Sequence, residues 1–316
     1  MDKSDHVPVL LDEVIKALDP KPGQTIVDAT YGRGGHAREI YSRIVPEGRM
    51  LLIDRDQAAL AHAQQNWQDN PSVQIHHGSF THLESILKQH DLYGRVDAIL
   101  FDFGVSSPQL DSAERGFSFS SDGPLDMRMD QQSGVDAATW IREVDEQELV
   151  RVLRVYGEEK FARRIARAIK SALLVGEIRT TGELVRLVTE AIPHVDKHKH
   201  PATRTFQAIR IAVNDELGEI ERVLPVALDC LRPGGRLVMI SFHSLEDRIV
   251  KRFIRDQSRG DPYPVDMPVT ADMLSPRLEP LGKAVRAGEA EVQLNPRARS
   301  AIMRAARKLG GQEAAV

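Results

Sequence analysis

Four chain positions where an apolar run gives way to a loop carry residues that could hold a small polar ligand. The first is VDATYGRGGHA, residues 27–37, in which a strand pattern ends at Asp28 and Gly32, Gly34 and Gly35 precede a helix pattern. Glycine there permits close backbone approach, and the helix amino terminus that follows suits an anion. Asp54 closes RMLLID, Gly78, Ser79 and Phe80 follow VQIHH, and Asp102 closes VDAILFD. Taken singly, Asp54 reads as a helix cap before Gln57 and Phe80 as a core aromatic. Taken together, one polar or stacking group at each of four successive strand ends points to a ligand crevice.

Two ligands compete for it. GRGGHA fits the G-x-G-x-x-A dinucleotide pattern, and Asp54 stands at about the right distance to hold ribose hydroxyls, so a nicotinamide oxidoreductase has to be weighed. Asp28 separates the two, because its carboxylate points to where a pyrophosphate would lie and like charges repel. A ligand with an amine and a sulfonium beside an adenosine, and a single carboxylate for the helix terminus, welcomes Asp28 instead. That ligand is S-adenosylmethionine, with an aromatic face at Phe80 for its adenine.

The elements that position these residues follow a βαβαβ grammar from Thr25 to Asp102. Strands that are continuous apolar runs argue a parallel sheet covered on both faces, with ligands beyond the carboxyl ends of its strands. The grammar stops at Asp102. A stretch rich in Gly, Ser and Pro follows to about Gly134, then helices up to Leu231, and RLVMISF resumes the sheet. The chain is therefore expected to be an α/β protein in which residues 110–205 form a helical substrate-recognition subdomain, inserted into a sheet domain of residues 1–109 and 206–316.

Within the insertion, Phe161, Ile165, Ala168 and Ala172 share a stripe at helical spacing. The next long helix is expected to bury Phe206, Val213, Leu217, Ile220 and Leu224, and to kink or end at Pro225. Ser244 and Asp247 resemble a capping box opening a helix through Lys251. The stretch from Asp256 to Leu294 reads as an irregular connection before a last strand near Ser300–Arg304.

Composition sets the limits. With 316 residues, 41% apolar and 28% charged, the chain can bury a core. No run approaches the ~18 apolar residues of a membrane helix, and the start MDKSDH lacks a signal pattern, so a cytoplasmic, membrane-free protein is expected. A single cysteine, Cys230, excludes an internal disulfide framework. Net charge of -4 does not announce a nucleic-acid binder, so such a role must rest on local basic clusters. His76-His77 and the group His194, His198 and His200 raise a metal reading. No H-E-x-x-H motif accompanies them and lysines intervene, so no metal is expected.

Several long segments resemble the bacterial ribosomal RNA small-subunit methyltransferase H family, also called MraW. They are HVPVLLDE (6–13), DATYGRGGHA (28–37), DFGVSSPQLDSAERGFSFSSDGPLDMRMD (102–130), YGEEKFARRIARAI, HPATRTFQAIRIAVNDEL, LRPGGRLVMISFHSLEDRIVKRF and NPRARS. Phe103 stands where the family commonly has leucine. The resemblance implies a Rossmann-like class I methyltransferase sheet with an inserted helical subdomain. It implies methyl transfer from S-adenosyl-L-methionine to the N4 amine of a cytidine in the decoding centre of 16S rRNA, with that RNA met within the small ribosomal subunit. Carried over by position, it assigns the cofactor to Gly34, Gly35, His36, Asp54, Phe80, Asp102 and Gln109.

The chemistry leaves the catalytic group open. Transfer from a sulfonium is an in-line displacement, in which alignment in a dry site is most of what a protein adds. Many amino methyltransferases of bases offer Asp/Asn-Pro-Pro-aromatic after the fourth strand; here Asp102-Phe-Gly-Val-Ser-Ser-Pro108 takes its place. Asp102, the carbonyls near Gly104, Ser106 and Ser107 are candidates, with His243 after the fifth strand as another. The serines equally suit a turn before proline, and His243 a helix entry. RNA contacts are expected from Lys160, Arg163, Arg164, Arg167 and Lys170, from Arg204 and Arg210, and from Arg297, Arg299, Arg304 and Arg307. A cytidine swung out of folded RNA would stack on Phe117 or Phe119. A noncatalytic RNA-binding factor and a methyltransferase of DNA or protein remain competing readings.

Overall fold

A computed structural model describes residues 8–193, 200–260 and 274–310. The MDKSDH start, His194 and His198, and part of the connection after Gly260 lie outside the described residues. The described chain divides into two compact units, residues 1–104 with 217–316 and residues 105–216. Both boundaries fall elsewhere than the sequence suggested, the first earlier and the second later.

In the first unit, α1 (Leu11–Leu18) leads into β1 (Thr25–Asp28), α2 (Gly35–Ile44), β2 (Arg49–Asp54), α3 (Gln57–Trp67), β3 (Val73–His77), α4 (Leu83–Gln89) and β4 (Val96–Asp102). The second unit holds α5 (Ser107–Asp111), α6 (Ala137–Glu143), α7 (Glu146–Val155), α8 (Ala162–Leu173), α9 (Thr181–Ala191) and α10 (Thr203–Asn214). From α11 (Glu216–Cys230) the chain returns through β5 (Leu231–Ser241), α12 (Ser244–Arg259), β6 (Leu278–Pro280), β7 (Val285–Arg286), α13 (Glu289–Leu294) and β8 (Ile302–Lys308).

The strand order is β3-β2-β1-β4-β5-β8-β6, with β7 also paired to β8. Strands β1 to β5 run parallel, while β8 is antiparallel to β5, β6 and β7. After β1 the chain winds outward to β2 and β3, then crosses back so that β4 lies on the other side of β1. This reversal is the topological switch point, the place where sheets of this kind form a ligand crevice at the carboxyl ends of their strands.

Alternation along each strand fills both faces, because successive side chains point to opposite sides. Ile99 and Phe101 of β4 join Val27, Leu51, Leu237 and Met239 under α4, α11 and α12. Ala98 and Leu100 join Ile26, Met50, Leu52, Val238 and Ile240 under α1, α2 and α3. Cys230 is buried as a thiol. The second unit has its own core, built on Ile141, Leu153, Ile165, Leu184, Phe206 and Ile209.

Several local expectations are corrected. On α8 the buried face is Ala162, Ile165, Ala166 and Ile169, with Phe161, Ala168 and Ala172 on its half-buried flank. The long helix expected around Phe206 is two helices, because Asp215 takes a left-handed conformation at φ 47° and interrupts it. Pro225 does not end α11, which continues to Cys230 with the proline on its exposed side. The cap of α12 is His243 with Glu246 three residues later, one residue earlier than the Ser244–Asp247 pair, and the helix runs on to Arg259. The supposed irregular connection contains β6, β7 and α13, and the last strand begins at Ile302.

Candidate functional site

The crevice of the first unit is shaped by the turn after β1. Gly34 sits in the left-handed region at φ 69°, where a Cβ would lie 2.5 Å from the Tyr31 hydroxyl and 2.6 Å from its ring. Tyr31 is fixed in turn, its hydroxyl accepting from Trp67 Nε1 at 3.2 Å and lying 3.0 Å from His62 Nδ1. At Gly35 a Cβ would press on the Pro8 ring at 3.0 Å. No side chain caps the amino terminus of α2, so its first amides keep the donors that an anion would use.

Asp54 anchors this turn to β2. Its Oδ2 accepts from Gly32 N and its Oδ1 from Asp56 N, each at 2.8 Å. The cap of α3 is Asp56, whose Oδ1 accepts from Ala58 N. Asp54 is thus free of the capping duty that was its plain alternative, and burial pushes its carboxyl above the usual range.

Thr30, which sequence reasoning passed over, ties the two switch-point strands together. Its backbone N–H donates to Asp28 Oδ1 at 3.2 Å, and its hydroxyl accepts from Asp102 N at 2.6 Å. Asp28 is almost wholly buried and its carboxyl is pushed up to about 7, first by desolvation and also by Asp54. Asp102 is pushed up to about 8, again by burial first and then by Asp28 and Glu246. Asp102 Oδ1 is buried without a hydrogen-bond partner. Two carboxyls driven toward neutrality beside an orphaned oxygen call for a cation.

His36 is buried with its Nε2 3.0 Å from Val9 O, which as a pure acceptor requires the Nε2–H tautomer. Its Nδ1 lies 3.9 Å from Asp102 Oδ2, and burial lowers its pKa to about 4. The imidazole therefore stays neutral and pins the segment before α1 against the crevice. Phe80 follows β3, packing edge-on against Phe101 at 5.6 Å and Phe103 at 6.0 Å. The Arg55 guanidinium lies over its ring at 5.6 Å and pairs with Glu219, which also accepts from Ser79 Oγ at 3.0 Å.

At the end of β5, Glu246 is fully buried, and its Oε2 accepts from Phe242 N at 2.7 Å and His243 N at 3.3 Å. His243 accepts Glu246 N on Nδ1, with its Nε2 3.1 Å from Glu246 Oε1. Glu246 was missed because sequence analysis placed the helix entry one residue late. The side chain of His243 serves that helix entry.

In the second unit, Ser106 caps α5 and its N–H donates to Gln109 Oε1 at 2.8 Å, completing a capping box. Ser107 is the first residue of that helix. Phe117 is a correction: its ring is buried in the unit's core, with the Arg115 guanidinium 5.7 Å above it, so it offers no face to a base. Phe119 is half-buried and stacked on His200. Lys160, Arg163, Arg164 and Arg167 are exposed, and Arg204 is half-buried. Lys170 instead donates to the carbonyls of Ile141 and Arg142. Arg210 is also corrected, since both its Nε and its Nη2 bond Glu216 at 2.8 Å and both side chains are largely buried. Arg304 and Arg307 in the first unit are likewise paired, with Asp247 and Glu279. Of the histidines, His76 faces His90, their Nε2 atoms 3.1 Å apart, and His77 contacts Gln57.

An orphaned carboxylate oxygen, two protonation-prone aspartates and an uncapped helix beside a glycine turn suit a ligand carrying both a cation and a carboxylate. Fold and site together define a Rossmann-like methyltransferase that uses S-adenosylmethionine.

Residues 3–309 match the model of the MraW methylase family. Proteins named ribosomal RNA small subunit methyltransferase H are similar throughout. That of Hydrogenovibrio crunogenus is 51% identical over 308 residues, 97% of this chain and 98% of its own. Those of Chromohalobacter salexigens and Thioalkalivibrio sulfidiphilus are 54% and 50% identical, covering 96% of this chain and 92% and 97% of theirs. The chain belongs to the MraW methylase family. The nicotinamide reading of GRGGHA is thereby set aside.

Proposed function

We propose that this protein methylates ribosomal RNA of the small subunit, acting on the N4 amine of a cytidine in the decoding centre of 16S rRNA to give N4-methylcytidine and S-adenosylhomocysteine. The observation that carries the reading is the pair of aspartates at the switch point, Asp28, which is buried, and Asp102, which is half-buried with one oxygen buried and unpartnered. The names of the similar proteins support the RNA substrate.

When bound, S-adenosylmethionine supplies an electrophilic methyl on a sulfonium. Asp28 and Asp102 would face its cationic part, Asp54 its ribose, Phe80 its adenine, and the Gly34–Gly35 turn its carboxylate. Cytosine's exocyclic nitrogen is a weak nucleophile because its lone pair is spread into the ring. An acceptor that draws on its hydrogens raises its reactivity. Asp102 is the best placed of the candidates, because a cation beside it favours the carboxylate and its Oδ1 is still unsatisfied. Ser106 and Gln109 are committed to the α5 cap, and His243 to the entry of α12, which leaves them positioning roles.

The second unit is assigned to RNA recognition through the exposed Arg163, Arg164 and Arg167. Among the described residues no helix is long and apolar enough to cross a membrane, in keeping with a place of action in the cytoplasm. The test is incubation with labelled cofactor and, in parallel, undermethylated small subunits, naked 16S rRNA, DNA and cell protein, followed by digestion to nucleosides. Label in N4-methylcytidine from subunits or rRNA is expected. Label only in DNA or protein, or none with any substrate, refutes the assignment.

A further inference from the structure

The second unit carries an aromatic stack whose outermost layer its core leaves uncovered. Phe206 is buried on α10, and Phe119 meets it edge-on at 5.7 Å with an interplanar angle of 83°. His200 then lies flat on Phe119, centroids 4.6 Å apart and planes within 10°, and is exposed. Its ring is held in place: Ala202 N donates to His200 Nδ1 at 3.2 Å, and Thr203 N donates to His200 O at 3.0 Å. Because Nδ1 accepts, the neutral imidazole carries its hydrogen on Nε2. The result is a planar ring of fixed orientation, backed by aromatic layers that end in the core.

We infer that His200 is a stacking platform for a nucleobase of the substrate RNA, with Phe119 as its supporting layer. The inference rests on the rRNA reading above. Single-stranded RNA is recognised by stacking unpaired bases on aromatic side chains, histidine included. A platform of this kind gains when it is rigid before binding, since less freedom is lost on contact. Arg163, Arg164 and Arg167 of the same unit are exposed and supply the phosphate contacts that such a strand needs. Phe119 is one of the two residues, with Phe117, expected from the sequence to stack on a base. With one face on His200 and Phe206 in T-shaped contact with its ring, it acts through His200 and is a positioning residue.

The test uses the full-length protein and an unmodified 16S rRNA fragment carrying the decoding region. His200→Ala is expected to weaken RNA binding roughly 5- to 150-fold, as loss of one stacked base does, and to raise KM for RNA. Cofactor affinity and kcat stay unchanged. His200→Phe retains binding, while His200→Leu behaves as the alanine variant. In His200→Trp the new indole emission is quenched by RNA. Wild-type affinity in His200→Ala, or a leucine variant as good as the phenylalanine one, overturns the inference. Since His200 is exposed, these variants test binding rather than folding. Unmethylated product from a wild-type protein that binds RNA through His200 would sink the methylation reading alone. Normal methylation by His200→Ala at wild-type KM would sink this inference alone, and a wild type that binds no RNA would sink both.

Discussion

Burying an aspartate without a cation costs free energy that the fold must supply elsewhere. Asp28 and Asp102, raised to about 7 and about 8, show that cost as retained protons. A carboxyl whose folded pKa exceeds its unfolded value stabilises the fold fully below about pH 4, and that contribution is lost as pH climbs through the folded pKa. The ligand-free protein is therefore expected to lose melting temperature between pH 6 and 9, and Asp102→Asn to flatten the loss. His36, lowered to about 4, has the opposite sign: its contribution is present above about 6.5 and is lost as pH falls toward 4. Cofactor binding should run against the first trend, since a sulfonium and an amine need the ionised carboxylates. Calorimetric titration with S-adenosylmethionine should show affinity rising from pH 6 to 9, with an observed enthalpy that varies linearly with buffer ionisation enthalpy, its slope giving the protons released. Flat affinity over that range contradicts the electrostatic reading. Gly34→Ala is a second test at this scale. The left-handed φ costs about 1–2 kcal/mol for a residue with a Cβ, and the Tyr31 ring occupies the space. Cofactor-induced stabilisation in a thermal shift should vanish. Adding Tyr31→Ala should relieve the collision and leave the strain, so recovery is expected to be partial.

Among the elements, the junction of β1 and β4 decides whether the crevice holds its shape. Thr30 is the staple, bonding one strand end through its amide and the other through its hydroxyl. Thr30→Val keeps the shape but leaves Asp102 N without its acceptor, which costs about 1–3 kcal/mol for a buried donor. The dissociation constant for S-adenosylhomocysteine, read by calorimetry, should rise roughly tenfold or more, and Thr30→Ser should restore it. Unchanged affinity in the valine variant would show that the strand ends are held otherwise. Thr30 was illegible in the sequence because a threonine after a strand has no pattern of its own; its role exists only once β4 lies beside β1. The strands were legible for the opposite reason. Runs such as RMLLID and VDAILFD are apolar on both faces, which only a covered parallel strand requires. Glu246 escaped because the cap is a histidine, a residue type outside the usual capping set. The break at Asp215 escaped because nothing in VNDELGE interrupts helical spacing; the left-handed residue is an exposed aspartate whose N–H closes the end of α10 on Ile211 and Ala212, and aspartate is one of the few residue types that visit that region singly. Phe117 shows the reverse failure, an aromatic in a glycine-rich loop that looks available and is core.

At the scale of the whole molecule the question is how a chain with a net charge of -4 engages a polyanion. Bulk charge offers no attraction, so binding must come from a local face, and pairing has already removed several candidates from it. Arg210, Arg304 and Arg307 are held by Glu216, Asp247 and Glu279. Arg163, Arg164 and Arg167 remain exposed on α8, whose other side is the apolar face of Ala162, Ile165, Ala166 and Ile169. Replacing all three with glutamine should leave folding intact, because exposed side chains opposite the buried face contribute little to stability. RNA affinity should fall, and so should its salt dependence, because each phosphate contact with a single strand contributes about -0.7 to the slope of log K against log salt concentration. The triple variant is expected to lose about 2 from the magnitude of that slope while the thermal shift with S-adenosylhomocysteine is unchanged. The residues assigned to the cofactor, apart from Gln109, all fall within 1–104 and so in the other unit. An unaltered slope, measured by fluorescence anisotropy between low and moderate salt, would mean that α8 is a solvated face and that the RNA is held elsewhere.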